Sequence, residues 1–141
     1  MRAAIVSEPI DAANLIAEVA SASNGATTLF LGTVRSSNEG REVSGIEYSA
    51  YEEMATSEMT RILSEASSKF GISHAAMEHR IGTLAIGDAS IAVVVAHAHR
   101  GPALDALRYI VEETKSRAPV WKLEHYTDGT REWVGAGRQS K

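Results

Sequence analysis

The feature that most constrains the fold is one apolar segment, ASIAVVVAHAH, which covers residues 89–99. Apolar side chains follow one another without interruption through its centre, and three of them are consecutive valines. Because neighbouring residues of a strand point to opposite faces of a sheet, this strand is apolar on both faces. The segment is therefore predicted to lie in the middle of a sheet that other elements cover on both sides.

The spacing of apolar residues elsewhere in the chain predicts three helices. The first, capped by Asp11, has its apolar side at Leu15, Ile16 and Val19. The second is expected to end at Gly71, because glycine readily terminates a helix. The three predicted helices cover residues 11–22, 52–70 and 102–115.

Extended patterns, rich in β-branched and aromatic residues, separate these helices. The polar stretch SSNEGRE, residues 36–42, is interpreted as a loop whose Gly40 permits a turn. The element order β-α-β-β-α-β-β-α-β-β predicts an α+β sandwich with helices packed on a mixed or antiparallel sheet. The predicted strands are AAIV, TTLFLGTVR, VSGIEYSAY, ISHAAMEHRIG, the apolar segment itself, the stretch from Pro119 to Tyr126, and REWVG.

Length and composition limit the possible classes of function. A chain of 141 residues suffices for one domain, expected here to span residues 1–141. Its net charge of −4 argues against a general nucleic-acid-binding protein, and no apolar run reaches the roughly 20 residues of a membrane helix. Cysteine is absent, which excludes disulfides, thiolate metal sites and cysteine nucleophiles. Since the N-terminus has no signal-peptide pattern, the expected location is the cytoplasm.

A basic pair lies where the apolar strand meets the third helix. His99 and Arg100 are followed by Gly101 and Pro102, and proline is favoured at the first position of a helix. A helix start has unpaired N–H groups and a partial positive charge, so this His-Arg corner, His99 and Arg100, is a candidate phosphate site. The alternative is an ordinary strand-to-helix connection with a surface arginine.

Three histidines raise the question of a metal site. His97 and His99 share one face of the apolar strand, and His79 lies on the strand before it. Two nitrogen ligands without a defined third or fourth are a weak indication of a metal. A hydrogen-bonded core histidine at position 97 explains the pattern better, and no metal is expected.

Two lysines flank the end of the third helix. Lys115 follows Leu107 and Val111 at four-residue spacing, so its stem packs at the end of the apolar stripe. The proline that follows forces an extended conformation, and strand alternation then puts Lys122 and Glu124 on one face. A cation in the last helical turn is stabilised by about 0.3–1 kcal/mol, which explains Lys115 without any chemistry. Alternatively, two amines that converge at a partly apolar site favour the neutral form of one of them, which suits proton transfer.

The two candidate sites lie far apart on one helix. From Pro102 to Lys115 the helix rises roughly 20 Å at 1.5 Å per residue. If both serve one small substrate, the helix of a second subunit has to supply the missing half. The sequence therefore predicts a symmetric homodimer with composite sites, since twofold dimers are the commonest oligomers.

Five motifs together resemble those of one known family. They are FLGTVR, EYSAYEEMA, HRIGTLAIGD, AHAHRGPALDALRYIVEETKSRAPVWKLE and REWV, and the similarity runs from about Ala26 to Val134. In this order they are similar to the large catalytic subunit of molybdopterin synthase, the MoaE family. Several ordered motifs at matching spacing are far more specific than any single one.

The resemblance implies a fold, an assembly and a reaction. The implied fold is an α/β hammerhead, and the implied assembly is a homodimer that binds two small ubiquitin-like sulfur-carrier subunits (MoaD-like) as a heterotetramer. The carrier's C-terminal Gly-Gly ends in a thiocarboxylate that delivers sulfur to cyclic pyranopterin monophosphate, forming the dithiolene of molybdopterin. No cofactor is implied. The absence of cysteine agrees with a sulfur nucleophile that the partner brings.

The resemblance also implies residue roles. The family's two functional lysines fall on Lys115 and Lys122, which are expected to hold the thiocarboxylate tail, stabilise developing charge and move protons. The substrate's phosphate and pterin groups are expected to contact basic residues, of which the His-Arg corner belongs to the neighbouring subunit. The implied substrate-binding positions are Thr33, Val34, Arg35, His99, Arg100, Lys115, Lys122, Leu123 and Glu124.

A function from another class is also compatible with these residues. A non-catalytic module that binds a phosphate-bearing ligand or a partner's acidic tail also explains the basic cluster, without proton transfer, although the spacing of the lysine pair favours the enzyme. Such a module has affinity for its ligand but forms no product with a thiocarboxylated partner. This outcome distinguishes the two functions.

Overall fold

Nine strands and three helices make up the described part of the chain. The structure is a computed structural model that describes residues 1–134. Residues 135–141, which the sequence assigns to the same domain, lie outside the described range, and with them Gly135 at the end of the predicted last strand. In chain order the elements are β1 (Arg2–Val6), α1 (Ala12–Val19), β2 (Ala26–Thr33), β3 (Ser37–Asn38), β4 (Arg41–Ala50), α2 (Glu52–Phe70), β5 (His74–Arg80), β6 (Gly82–Ala85), β7 (Ala89–His97), α3 (Arg100–Arg117), β8 (Val120–Tyr126) and β9 (Arg131–Val134).

The first sheet, with the strand order β1-β5-β7-β2, contains the apolar segment as an interior strand. β1 runs parallel to β5 and the other pairs are antiparallel, so the sheet is mixed. Residues 90–96 of β7 are all buried, which confirms the predicted central position. Helix α1 covers one face of the sheet, and helices α2 and α3 cover the other.

The main core lies between the first sheet and the helix pair α2 and α3. Met59 of α2 and Ile110 of α3 are fully buried together with Val93 of β7. Burying a side chain of this size contributes about 1.5–3 kcal/mol. Helix α2 spans the predicted range, and Gly71 ends it in the left-handed region at a φ of 69°, where a side chain would be strained.

A second, antiparallel sheet holds the remaining strands in the order β3-β4-β8-β9, and β6 also pairs with β4. The predicted α+β class, with helices packed on a mixed sheet, is confirmed, but the strands divide between two sheets rather than one. Two strands were not predicted: β3 lies within the expected loop at residues 36–42, and β6 lies within the connection between β5 and β7. Both are short, and their pairing with β4 rather than their own composition makes them strands.

Two local features shape the second sheet. Glu39 and Gly40 have positive φ values, 51° and 79°, which close β3 and β4 as a tight two-residue hairpin. In β4 a register shift between Val43 and Gly45 adds one residue to this strand. Val43 and Ile46 therefore face the same side of the sheet despite their odd spacing, and both enter its small buried core.

Helix boundaries differ in detail from the predictions. Asp11 caps α1 as predicted, by accepting a hydrogen bond from the Asn14 N–H at 3.2 Å, but the helix ends at Val19. Ile16, predicted on the apolar side, is 39% exposed. Helix α3 begins at Arg100, which precedes the predicted start. Among the described residues, no helix combines the length and the apolar character needed to cross a membrane.

Candidate active site

A cleft opens between the end of β2, the last turn of α3 and the second sheet. Its volume is about 330 Å³. Three cations, from one arginine and two lysines, face a single carboxylate in it. The lining residues are Gly32, Thr33, Val34, Arg35, Ser37, Asn38, Val43, Ile46, Tyr48, Ser90, Ile91, Lys115, Lys122 and Glu124.

Lys115 reaches the cleft from the last turn of α3. The buried side of that helix includes Ile110 and Thr114, and the Thr114 hydroxyl donates to the sulfur of Met77 at 3.4 Å. This packing fixes the end of the helix on the first sheet, so Lys115 lies at the margin of the core with an exposed side chain. A cation at this position also interacts favourably with the helix dipole, by about 0.3–1 kcal/mol.

Lys122 reaches the same cleft from β8. The chain leaves α3 at Ala118, whose backbone is extended before Pro119, and β8 begins immediately afterwards. Alternation along β8 points Lys122 and Glu124 into the cleft. The Lys122 ammonium lies 3.2 Å from a Glu124 carboxylate oxygen, and the lysine side chain is 24% exposed. The two lysines thus come from either side of the proline and line one cleft.

Glu124 is the buried acid of the cleft, with 2% of its surface exposed. Its carboxylate accepts hydrogen bonds from the Asn38 side-chain amide at 2.9 and 3.2 Å and from the Tyr126 hydroxyl at 2.8 Å. Burial by itself raises the pKa of Glu124, but these hydrogen bonds and the nearby Lys122 outweigh that effect and lower the pKa from its usual value. The acid is therefore held in its charged form.

The segment at the end of β2 contributes Thr33, Val34 and Arg35. A register shift between Gly32 and Thr33 ends the regular pairing of β2 with β7 and turns the chain toward the second sheet. Val34 is buried and hydrogen-bonded through its backbone to the turn before β7, so Thr33 and Arg35 are exposed at the cleft. The Arg35 guanidinium donates to the side-chain oxygen of Asn38 at 3.4 Å.

His99 and Arg100 do not line this cleft within one copy of the chain. Arg100 is the first residue of α3 and lies about 22 Å from Lys115 along the helix axis, at 1.5 Å per residue. His99 is the N-cap residue and makes no side-chain capping bond, while its backbone N–H donates to His97 Nδ1 at 2.9 Å. Both residues are exposed. The His-Arg corner and the lysine pair therefore lie at opposite ends of α3, as the sequence predicts.

Leu123, predicted as a substrate-binding residue, does not line the cleft. It pairs with Glu47 and Trp133 in the ladders of β8 and is 5% exposed. Because consecutive strand residues face opposite sides, Leu123 points away when its two neighbours point into the cleft. Its assignment is therefore corrected from the cleft to packing within the second sheet.

The three histidines considered as metal ligands do not form a ligand set. The rings of His97 and His99 lie 6.0 Å apart, whereas His79 is buried behind Tyr48, a lining residue of the cleft, with their rings edge-on at 5.2 Å. His79 Nδ1 lies 3.0 Å from the carbonyl oxygen of Arg80. Within residues 1–134, no group of three or more His, Cys, Asp or Glu side chains is arranged to hold a metal ion.

Four polar residues that line the cleft were not predicted: Ser37, Asn38, Tyr48 and Ser90. Asn38 lies in a stretch with the composition of a loop, and its reach to Glu124 depends on a hairpin that no periodic pattern indicates. Tyr48 could have been found from strand alternation if the extra residue in β4 had been known. It shares a face with Ile46 and pairs directly with Lys122.

Comparisons with known proteins identify relatives along nearly the whole chain. A family model described as MoaE protein matches residues 5–117. The molybdopterin synthase catalytic subunit of Pyrococcus abyssi is 47% identical over 123 residues, which cover 87% of this chain and 82% of that protein. The crystal structure of molybdopterin synthase from Staphylococcus aureus matches with a TM-score of 0.89 at 33% identity, over 94% of this chain and 96% of that one.

A more distant solved structure shares the fold. It is described as a protein–protein complex of subunits 1 and 2 of molybdopterin-converting factor from Helicobacter pylori. One of its chains matches with a TM-score of 0.76 at 23% identity, over 98% of this chain and 92% of that one. The family model covers most of the sequence, and the relatives extend the match over more of its length. The chain therefore belongs to the MoaE family.

Proposed function

We propose that this chain is the catalytic subunit of a molybdopterin synthase and that the cleft of Lys115 and Lys122 is where it transfers sulfur to cyclic pyranopterin monophosphate. The sulfur comes from the C-terminal thiocarboxylate of a small carrier subunit, and the product carries the dithiolene of molybdopterin. The relatives support a role in molybdenum cofactor biosynthesis. The observation that carries the site assignment is the presence of both lysines in one cleft.

The charge of the cleft suits an anionic substrate and an anionic carrier tail. Arg35, Lys115 and Lys122 outnumber the carboxylate of Glu124, in a chain whose net charge is −4. A local excess of positive charge attracts phosphate and thiocarboxylate even when the molecule as a whole is acidic. We assign Arg35 to the phosphate and pterin groups, because its guanidinium is exposed at the cleft and can bind phosphate through two parallel hydrogen bonds.

The two lysines hold the tail and handle charge and protons. An ammonium beside the thiocarboxylate stabilises the negative charge that develops on oxygen during acyl transfer. An amine within hydrogen-bond reach can also move a proton as the cyclic phosphate opens. The chain has no cysteine, so the sulfur nucleophile is not one of its own thiols, and an incoming thiocarboxylate meets that requirement.

The proposal includes a homodimer in which the second copy completes each site. Among the described residues, no strand pairs with the outer side of β2, which is an edge of the first sheet. This edge is apolar: Leu29 is 39% exposed, Leu31 is 40% exposed, and Leu104 in the groove between α3 and β2 is 53% exposed. Exposed apolar edges are normally covered, and a second copy of the chain is the simplest cover.

The register of β2 supports this arrangement. β2 begins at Ala26, opposite His97 and next to the His-Arg corner, and it ends at Thr33, next to Arg35. A twofold axis perpendicular to the sheet makes two paired β2 edges antiparallel. The Ala26 end of β2 in one copy then lies beside the Thr33 end of β2 in the other. The partner's His-Arg corner is carried in this way toward the lysine cleft.

The carrier subunit is the second partner in the proposal. The Helicobacter pylori structure is a complex of two different subunits, and we extend that kind of assembly to this chain as two carriers bound to one homodimer. The carrier's C-terminal Gly-Gly tail enters the cleft, because glycines let a backbone approach other groups closely. We expect this heterotetramer to work in the cytoplasm.

The substitution Lys115→Ala tests the proposed function. Purified chain, thiocarboxylated carrier and cyclic pyranopterin monophosphate are mixed, and the dithiolene product is measured by mass spectrometry. Without the Lys115 ammonium we expect no product, while dimer formation and carrier binding remain. Lys69→Ala is the matched control, because Lys69 is an exposed lysine at the end of α2, where it lies 5.5 Å from the Tyr109 ring centre.

Two results would count against the proposal. An active Lys115→Ala variant removes the catalytic role of that lysine. An unaltered chain that binds carrier and substrate but forms no product favours the binding module instead. The Lys69→Ala variant is expected to retain the activity of the unaltered chain, which ties any loss in Lys115→Ala to the cleft.

A further inference from the structure

The acid in the cleft is held by several partners at once. Glu124 is 2% exposed, and a buried carboxylate is costly unless its oxygens have partners. Lys122 approaches one oxygen at 3.2 Å, and the Asn38 amide donates to both at 2.9 and 3.2 Å. The Tyr126 hydroxyl donates at 2.8 Å. Burial, with the bond to Glu124 as the next cause, raises the pKa of Tyr126 to about 12, so the phenol remains a donor.

Asn38 joins two charged groups of the cleft. Its side-chain oxygen accepts from Arg35 at 3.4 Å, while its nitrogen donates to Glu124. A side-chain amide combines an acceptor with a donor, which is what a residue between a guanidinium and a carboxylate requires. Asn38 belongs to the two-residue strand β3, so the β3–β4 hairpin contacts the charged groups of the cleft through this side chain.

Tyr126 is held in turn by Arg41. The Arg41 guanidinium lies 3.5 Å from the centre of the Tyr126 ring, and it also donates to Glu132 at 3.2 Å and to Thr130 at 2.6 Å. A guanidinium over an aromatic face is attracted to the ring and restricts its movement. Arg41 is the first residue of β4, so the same hairpin braces both residues that donate neutral hydrogen bonds to Glu124.

We propose that Asn38 and Tyr126 are positioning residues for the sulfur-transfer reaction, in which they act through Glu124 to fix the Lys122 ammonium in the cleft. The inference rests on the proposed function of the cleft. Lys122 has a flexible four-carbon stem, so its ammonium keeps one position only while a fixed carboxylate holds it. Misplacing a reacting group by about 1 Å costs on the order of a hundredfold in rate. The β3–β4 hairpin is therefore part of the catalytic apparatus.

Two substitutions separate this role from simple packing. Tyr126→Phe removes one hydroxyl and keeps the ring beneath Arg41. Asn38→Asp keeps the shape of the side chain but replaces the donor by a second carboxylate. Two carboxylates at this distance repel each other, or one of them takes up a proton, and either result disturbs Glu124.

The experiment measures kcat, and KM for the carrier, across pH. Tyr126→Phe is expected to lower kcat about tenfold, the effect of one hydrogen bond to a charged group, with little change in KM. In this variant the low-pH side of the kcat profile is expected to move to higher pH, because Glu124 with one hydrogen-bond donor fewer takes up a proton more readily. Asn38→Asp is expected to lower kcat further. Tyr109→Phe is the matched control, since the Tyr109 hydroxyl donates to the Glu65 carboxylate at 2.6 Å outside the cleft.

The outcomes separate this inference from the proposed function. Equal kcat values and equal pH profiles for Tyr126→Phe and Tyr109→Phe overturn the positioning role, and so does an effect confined to thermal stability. Lys115→Ala is measured in parallel as the marker of the proposed function. Full turnover in that variant contradicts the proposed function itself. An inactive Lys115→Ala beside an unaffected Tyr126→Phe contradicts only the positioning role.

Discussion

Among single residues, His79 has a clear consequence for the pH dependence of the fold. It is 8% exposed, and because a carbonyl oxygen only accepts, its Nδ1 carries the hydrogen that bonds to Arg80. Burial lowers the pKa of His79 to about 4; the hydrogen bond to Arg80 opposes this shift and the charge of Lys115 adds to it. The histidine is therefore neutral in the folded chain at ordinary pH.

We predict that acid weakens the fold through His79 between pH 6.5 and pH 4. The unfolded chain binds a proton at this residue near pH 6.5, and the folded chain does so only near pH 4, so protons favour unfolding across that window. At 1.36 kcal/mol per pKa unit, the free energy of unfolding falls by about 3 kcal/mol at the low end. Urea unfolding from about pH 7 to pH 5 measures the upper part of this pH window, which lies above the usual pKa values of carboxyl groups.

His79→Asn is the variant that isolates this effect. The amide nitrogen of asparagine can take the place of Nδ1 and donate to the same carbonyl, but the side chain does not titrate. The variant is expected to be less stable near neutral pH, because the imidazole ring no longer packs against Tyr48. Its stability should change less between pH 6.5 and about pH 5. If the unfolding free energy of the variant changes with pH as steeply as that of the unaltered chain, groups other than His79 cause the pH dependence.

Residues of the cleft differ in how far the sequence could identify them. Lys115 and Lys122 could be placed because Lys115 lies in a helix with regular apolar spacing and Lys122 lies in a strand with regular alternation. The proline between them marks where the helix ends and the strand begins. The same strand period turns Leu123 away from the cleft, against the implied role. Asn38 could not be found, because its partner Glu124 lies 86 residues further along the chain.

Between elements, one arginine ties α2 to α3. Arg117, the last residue of α3, contacts Glu58 at 2.6 Å and Glu65 at 2.7 Å on α2. It also contacts Glu113 on its own helix at 3.0 Å. Its side chain is 26% exposed, so these pairs are partly shielded from water. These ion pairs fasten the last residue of α3 to α2.

We predict that Arg117→Ala lowers the free energy of unfolding by about 1–2 kcal/mol, since three carboxylates lose a shared partner. Arg117→Lys is expected to recover only part of the loss, because an ammonium cannot reproduce the planar fork of a guanidinium. Arg61→Ala is the control: Arg61 is 64% exposed with one contact to Glu58 at 3.3 Å, and its loss should cost less than about 0.5 kcal/mol. Urea unfolding measures all three variants. Equal losses of unfolding free energy for the two alanine variants would contradict the role of Arg117 as the link between α2 and α3.

Elements with their own periodicity were predicted, whereas elements created by pairing were not. Helix α2 and strand β7 carry enough local pattern to be located from the sequence, because helical hydrogen bonds are local and a central strand is apolar throughout. β3 and β6 have no such pattern and become strands only because β4 supplies their partners. The division into two sheets depends on those same distant partners.

At the scale of the whole molecule, α3 separates two groups of residues that the proposed reaction needs together. The lysine cleft lies at its last turn and the His-Arg corner at its first. In the proposed dimer each copy supplies lysines to one site and a His-Arg corner to the other. Two copies inactivated at different residues can therefore form one intact site. If each site were contained within a single copy, every site in such a dimer would carry a substitution.

We predict that Lys115→Ala and Arg100→Ala, each strongly impaired alone, recover activity when their subunits exchange. In a heterodimer one site carries both substitutions and the other carries neither. Random exchange makes half of the dimers mixed, each with one of two sites intact, so activity should reach about a quarter of the unaltered level. Native mass spectrometry measures the mixed fraction, and product formation measures the recovery.

The control for this recovery is a mixture of Lys115→Ala with Lys122→Ala. Both lysines line the same cleft of one copy, so every site in that heterodimer lacks one of them, and no recovery is expected. Mixed dimers of the Lys115→Ala and Arg100→Ala chains that form but make no product would contradict the composite site. Recovery in that pair and not in the control means that the His-Arg corner serves the cleft of the other copy. Both mixtures exchange subunits, and they differ only in whether the second substitution lies in the lysine cleft or in the His-Arg corner.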